Sequence, residues 1–155
     1  METTSLFYQN LRQGLNSKPN LIEYGSLPIL NQKKDWYVSL FQYNDEHKKI
    51  LEEKGTLSGI KDTSTDRLYF DFDSPEDIKV AMEDAIGVAE TLVTGYDISE
   101  DDLNFYFTGG KGISIEFTLN RRISPDEFRS AVFNLAGEYV TFDKVVNDPN
   151  RIVRI

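Results

Sequence analysis

The chain has 155 residues, with 17 Lys/Arg against 26 Asp/Glu and a formal net charge of −9; 39% of residues are apolar and 12% aromatic, too apolar for disorder and enough for one sizeable core. The lack of cysteine excludes disulfide scaffolds, thiol nucleophiles and Cys-ligated zinc, and the single histidine, His47, excludes His-based triads and polyhistidine metal sites within the chain. No apolar run approaches the ~18 residues of a membrane span and the first 13 residues do not have the pattern of a signal peptide, so a cytoplasmic protein without membrane contact is expected.

In the first 66 residues, Leu6, Leu11 and Leu15 suggest a helix and residues 36–41 a strand. Asp45–Lys54 predicts a second helix that places His47 on a solvated face; residues 55–66 read as loop with some strand, and Pro19, Gly25 and Pro28 mark turns. Residues 1–65 are therefore expected to form a small α/β layer packed beside the remainder.

From residue 68 onward the pattern is clearer. The apolar run 68–72 leads into Asp73-Ser74-Pro75-Glu76-Asp77, and the run 113–119 leads into Ser124-Pro125-Asp126-Glu127. Each predicts a helix start with Ser at the N-cap, Pro at the first position and an acid at the third. The first helix carries Ile78, Ala81, Met82, Ala85, Val88, Ala89 and Leu92 at helical spacing, with Gly95 as its expected terminator; the second carries Phe128, Val132, Leu135, Ala136 and Tyr139. Between them, two alternating runs (103–108 and 113–118) flank Gly109-Gly110-Lys111-Gly112 and predict a hairpin, and residues 151–155 predict a last strand.

The order strand, helix, strand, strand, helix, strand defines an α+β fold of the ferredoxin-like (RRM-like, palm-type) kind, an antiparallel sheet with both helices on one face. Its usual strand order, 4-1-3-2, makes the first and third strands central neighbours. Alternation then sends Leu68, Phe70, Phe72, Leu103, Phe105, Phe107, Ile113, Ile115 and Phe117 beneath the helices. Tyr69, Asp71, Asp73, Asn104, Tyr106, Thr108, Ser114 and Glu116 are left on the open face.

That face carries the chemistry. Asp71 and Asp73 lie two residues apart on one strand, with Cα atoms about 6.6 Å apart. Two bare carboxylates at that range repel by about 3 kcal/mol at an effective dielectric near 20, which a cation between them would relieve. Hard divalent ions such as Mg²⁺ or Mn²⁺ take such oxygens, and a pair of ions serves in-line nucleotidyl transfer. The bland alternative is a solvated strand end in which Asp73 belongs to the cap region. Gly109, Gly110, Lys111 and Gly112 form a loop whose amides and ammonium suit a phosphate, but the order is wrong for a Walker A loop and the loop joins two strands. Ser114 and Glu116 beside it suit phosphate and metal respectively, Asp143 would complete a carboxylate set, and Arg151 and Arg154 suit a triphosphate. Each of these is also compatible with an ordinary polar surface position.

As an ordered set these residues resemble the archaeo-eukaryotic primase superfamily, in the branch found in phage and plasmid primase-polymerases. The first motif of that family, a hydrophobic strand ending in Asp-apolar-Asp, matches Leu68-Tyr69-Phe70-Asp71-Phe72-Asp73. The second matches Phe107-Thr108-Gly109-Gly110-Lys111-Gly112-Ile113, with Ser114 where His is usual. The third, an apolar residue plus Asp, matches Phe142-Asp143. The similarity spans about residues 65–155. It implies a two-metal, template-dependent DNA primase-polymerase in which Asp71, Asp73 and Asp143 hold Mg²⁺ or Mn²⁺, with Glu116 as a further candidate. Thr108, Gly109, Gly110, Lys111, Gly112 and Ser114, with Arg151 and Arg154, would meet the nucleotide. It also implies nucleoside triphosphates and single-stranded DNA as ligands, a helicase or other replisome protein as partner, and a host-cell cytoplasmic location if phage-encoded. Residues 1–155 then read as a catalytic core, with 66–155 the βαββαβ palm, truncated within its last strand.

The alternative is a non-catalytic or degenerate RRM-like module binding nucleotide or nucleic acid, with Tyr69 and Tyr106 stacking bases. A net charge of −9 argues against binding by charge alone. The acids are concentrated, however: residues 71–102 hold eleven acids and one Lys, whereas residues 111–155 hold seven Lys/Arg and six acids.

Overall fold

The computed structural model describes residues 5–108, 111–145 and 148–155. In chain order the elements are β1 (Tyr8–Gln13), β2 (Leu21–Glu23), β3 (Trp36–Ser39), α1 (Asp45–Lys54), β4 (Thr65–Asp73), α2 (Ile78–Tyr96), a 3₁₀ turn (Glu100–Asp102), β5 (Asn104–Phe107), β6 (Gly112–Ile123), α3 (Pro125–Ala136) and β7 (Ile152–Arg154). They form an α+β chain with two sheets, ordered β2-β1-β3-β7 and β4-β6-β5. The chain divides into two compact units, Met1–Thr65 with Asp148–Ile155, and Asp66–Asn147. No helix among the described residues is long and apolar enough to cross a membrane.

In the first unit, β1 pairs antiparallel with β2 and β3, and β3 with β7 through Val38 and Val153. The expected helix over Leu6, Leu11 and Leu15 is instead strand β1. Only Leu11 of the three is buried, and Tyr8, Gln9 and Asn10 beside it are buried too, as strand pairing on both edges requires. Tyr8, Tyr43, Leu57 and Ile60 form a core against Leu21, Ile50 and Leu51. The C-terminal return is tied in by Tyr43 Oη donating to Asn150 Oδ1 (2.7 Å), Asn150 Nδ2 to the Ile60 carbonyl (3.1 Å) and Thr63 Oγ1 to the Pro149 carbonyl (2.9 Å).

Helix α1 has its expected bounds, but His47 is not solvated. It is 3% exposed, and its Nδ1 accepts from the Asn44 N–H (3.1 Å) while Asn44 Oδ1 accepts from the His47 N–H (3.0 Å). This is a capping box in which imidazole replaces the usual carboxylate. With Nδ1 accepting, Nε2–H donates to Asp62 Oδ1 at 2.8 Å.

In the second unit, β6 is central. β4 and β6 are neighbours, and the Ser74 N–H bond to the Lys111 carbonyl sets them antiparallel with Asp73 opposite Gly112 and Asp71 opposite Ser114; the longer side chains Tyr69 and Arg67 reach diagonally to Ser114 and Glu116. β5 pairs with β6 in the register Asn104↔Glu116, Tyr106↔Ser114. Helix α2 packs on β6 with Ala81, Ala85, Val88 and Leu92 buried, and α3 buries Phe128, Val132 and Ala136. Helix α3 begins with the expected Ser124–Glu127 capping box.

Four expectations need correction. Residues 151–155 do not close this sheet; β7 pairs with β3 in the first unit. The vacant edge of β4 is taken by residues 141–143, through an antiparallel bridge between Phe72 and Phe142. Helix α2 starts later than expected, capped by Asp77 rather than Ser74, because the Ser74 N–H is used by the Lys111 carbonyl (2.9 Å) and the chain runs on beside the hairpin. The helix also passes through Gly95 and ends at Asp97 in the left-handed region, φ 54°. Finally, Phe105 and Phe107, expected in the core, are 50% and 74% exposed. Helix α2 covers β6, and α3 reaches Phe142 at the far edge, so outer strand β5 lies outside the covered strip.

Candidate functional site

Asp71 and Asp73 stand at the end of β4 on the side away from the buried Phe70 and Phe72. The Phe72–Phe142 bridge brings Asp143 beside them. The Asp143 N–H donates to the Asp71 carbonyl (2.8 Å), and the Asp73 N–H donates to the Thr141 carbonyl (2.9 Å). Phe142 turns the other way, its ring 6.0 Å from that of Phe72 and 5.6 Å from that of Phe133, so alternation puts Asp143 on the face of Asp71 and Asp73. Three acids from two adjoining backbone segments therefore share one side of the sheet.

The hairpin meets them at Gly112. A Cβ there would run into Asp73 Oδ1, and would lie 2.5 Å from Thr108 Oγ1 and 2.7 Å from the Phe72 carbonyl oxygen, so only glycine lets the two strands approach this closely. The Thr108 N–H closes the loop onto the Gly112 carbonyl (3.0 Å), and Lys111 is exposed beyond it. Gly109 and Gly110 lie outside the described residues.

Asp71 is supported from the centre of the sheet. Tyr69 Oη and Ser114 Oγ are 2.7 Å apart, both residues are buried, and Ser114 Oγ reaches Asp71 Oδ1 at 3.4 Å. A carboxylate only accepts, so Ser114 donates to Asp71 and Tyr69 donates to Ser114. Neither Tyr69 nor Ser114 is open to solvent as expected, and a base cannot stack on Tyr69. Tyr106, paired with Ser114 from the other side, is 48% exposed.

Glu116 lies two positions further along β6, paired with Arg67 at 3.0 Å. Arg151 and Arg154 belong to the first unit: the Leu40 N–H donates to the Arg151 carbonyl (2.8 Å), and Arg154 pairs with Asp35. One contributor escaped the sequence reading altogether. Asp84 on α2 accepts from both the backbone and the hydroxyl of Thr141; an acid flanking an apolar helical stripe gave no signal of that partner.

The donor set suits a hard divalent cation. It offers carboxylates, with Thr108 Oγ1 buried beside them and without a hydrogen-bond partner among the described residues. The carboxylates repel one another and are turned to separate donors: Asp71 to Ser114, and Asp143 Oδ1 to the Val145 N–H at 2.9 Å. Accordingly, no three Asp, Glu, His or Cys side chains among the described residues stand in a metal-ligating group as they are placed. Side-chain rotation, with the backbone fixed, is what ligation of a shared cation would require.

The chain has no match among protein-family models, curated proteins or solved structures. The fold defines the protein only as an α+β chain whose second sheet carries Asp71, Asp73 and Asp143 beside a glycine hairpin, on the face away from Phe70 and Phe72.

Proposed function

We propose that this chain is a template-dependent nucleotidyltransferase of the primase-polymerase type, using Mg²⁺ or Mn²⁺, nucleoside triphosphates and a single-stranded DNA template. The observation that carries the reading is the Phe72–Phe142 bridge, which sets Asp143 against Asp71 while Gly112 holds the hairpin against Asp73. Bound divalent ions would supply activation of a 3′-hydroxyl and neutralisation of charge on the triphosphate. In this reading Asp71, Asp73 and Asp143 hold the cations. Lys111 and the loop amides meet phosphate, Thr108 offers a hydroxyl at the cleft wall, and Ser114 with Tyr69 orients the Asp71 carboxylate. A replicative helicase or other replisome protein is the partner this role implies.

Incorporation of labelled nucleotide on primed and unprimed single-stranded DNA with Mn²⁺ tests the proposal. Activity is expected in the parent and is expected to vanish in Asp71→Ala/Asp73→Ala; activity that survives the double change ends it. The full burial of Ser114, where the resemblance expects His, favours a second reading in which nucleotide binds without turnover. Calorimetry showing Mn²⁺-dependent nucleotide binding in a chain that incorporates nothing would select that reading.

A further inference from the structure

We propose that Asp84 is a positioning residue for the acidic cluster, holding residues 141–143 against β4 and so setting where Asp143 stands relative to Asp71 and Asp73. The inference rests on the reading of those three acids as cation ligands. One oxygen, Asp84 Oδ2, accepts from both the Thr141 N–H (3.0 Å) and Thr141 Oγ1 (2.6 Å). Both are charge-assisted bonds onto a residue that is only 9% exposed. From Thr141 the connection to the site is by backbone alone. The Thr141 carbonyl accepts from the Asp73 N–H, and two residues on the Asp143 N–H donates to the Asp71 carbonyl.

The segment's contact with β4 is an isolated bridge and not a strand, and it is followed by the exposed Lys144 and Val145. Packing of Phe142 on Phe72 and Phe133 anchors it on the helix side and two backbone bonds set its register on β4, while the Thr141 clamp is the side-chain tie that holds the start of the segment in that place. Asp84 is set within a 19-residue helix packed on β6, so it ties residues 141–143 to that helix. Loss of the clamp is therefore expected to loosen the cluster without unfolding the chain.

The test compares the full chain with Asp84→Ala, Thr141→Val and Thr141→Ser, by Mn²⁺ calorimetry and by amide hydrogen exchange. In Asp84→Ala, Mn²⁺ is expected to bind roughly 10–100-fold more weakly, as when outer-shell support of a metal site is removed. The amides of Thr141, Asp73 and Asp143 are expected to exchange faster while those of the β5–β6 hairpin keep their protection. Thr141→Val, which keeps only the backbone bond, is expected to lie between, and Thr141→Ser to match the parent. A folded Asp84→Ala with parental Mn²⁺ affinity and unchanged exchange overturns the inference. If the parent itself binds no Mn²⁺ at millimolar concentration, the cation reading fails, and exchange alone decides: faster amides at the three positions support the clamp and unchanged ones overturn it. If Asp84→Ala does not fold, the Val/Ser contrast at Thr141 decides by the same two measurements, with indistinguishable variants overturning the clamp.

Discussion

Tyr69 Oη donates to Ser114 Oγ at 2.7 Å between two buried residues, on the sheet face away from Phe70 and Phe72. A buried hydroxyl pair of this kind couples its members. Ser114→Ala removes the acceptor of the Tyr69 proton and the donor to Asp71, and is expected to cost about 1–3 kcal/mol. Tyr69→Phe made on top of Ser114→Ala is expected to cost less than Tyr69→Phe alone. Urea unfolding of the four proteins measures this, and costs that add within about 0.5 kcal/mol would show the two hydroxyls to be independent.

Gly112→Ala is expected to destabilise the chain by about 1–3 kcal/mol, the usual penalty for forcing atoms into a filled site. The obstruction includes the Phe72 carbonyl oxygen at 2.7 Å, which belongs to the backbone of a paired strand and cannot rotate away. A lower urea midpoint with an unchanged slope is the expected readout. An unchanged midpoint would mean that the hairpin can shift off β4 freely.

The cap of α1 sets an acid-limb prediction. The His47 Nε2–H bond holds the Asp62 carboxyl below its usual range, against a smaller opposing effect of desolvation. Between its folded and unfolded values the folded chain binds fewer protons, so the stabilisation is present at neutral pH and is lost as pH falls through the folded value. Asp62 is 81% exposed, so solvent screening keeps the effect small. Asp62→Asn is expected to lose less stability than the parent between pH 6 and pH 3, as read by melting temperature, with roughly those limits set by the carboxylate range. Asn44→Ala, which removes the other half of the capping box, is expected to cost about 1 kcal/mol at neutral pH.

Phe107 is 74% exposed on β5, the outer strand of its sheet among the described residues. Phe107→Lys is expected to change stability by no more than about 0.5 kcal/mol, as for a surface position, and to reduce self-association in sedimentation, since a charge on an edge strand opposes edge-to-edge pairing. A loss of several kcal/mol, the signature of a deleted core aromatic, would contradict the position of β5.

The amino-acid sequence by itself determined the α+β class, the limits of α1, the capping box of α3 and which side of β4 and of the centre of β6 is apolar. Each of these is set by residues within a few positions of one another, where alternation, helical spacing and capping chemistry act. Only the tertiary structure decided that residues 151–155 join β3, that residues 141–143 take the edge of β4 in their place, that Tyr69 and Ser114 are buried together and that Phe105 and Phe107 are not. The burial of His47 and the clamp from Asp84 to Thr141 belong with these. Strand partners, and what lies over a sheet face, depend on contacts between residues tens of positions apart, and an alternating pattern states which side chains share a face without stating what covers it.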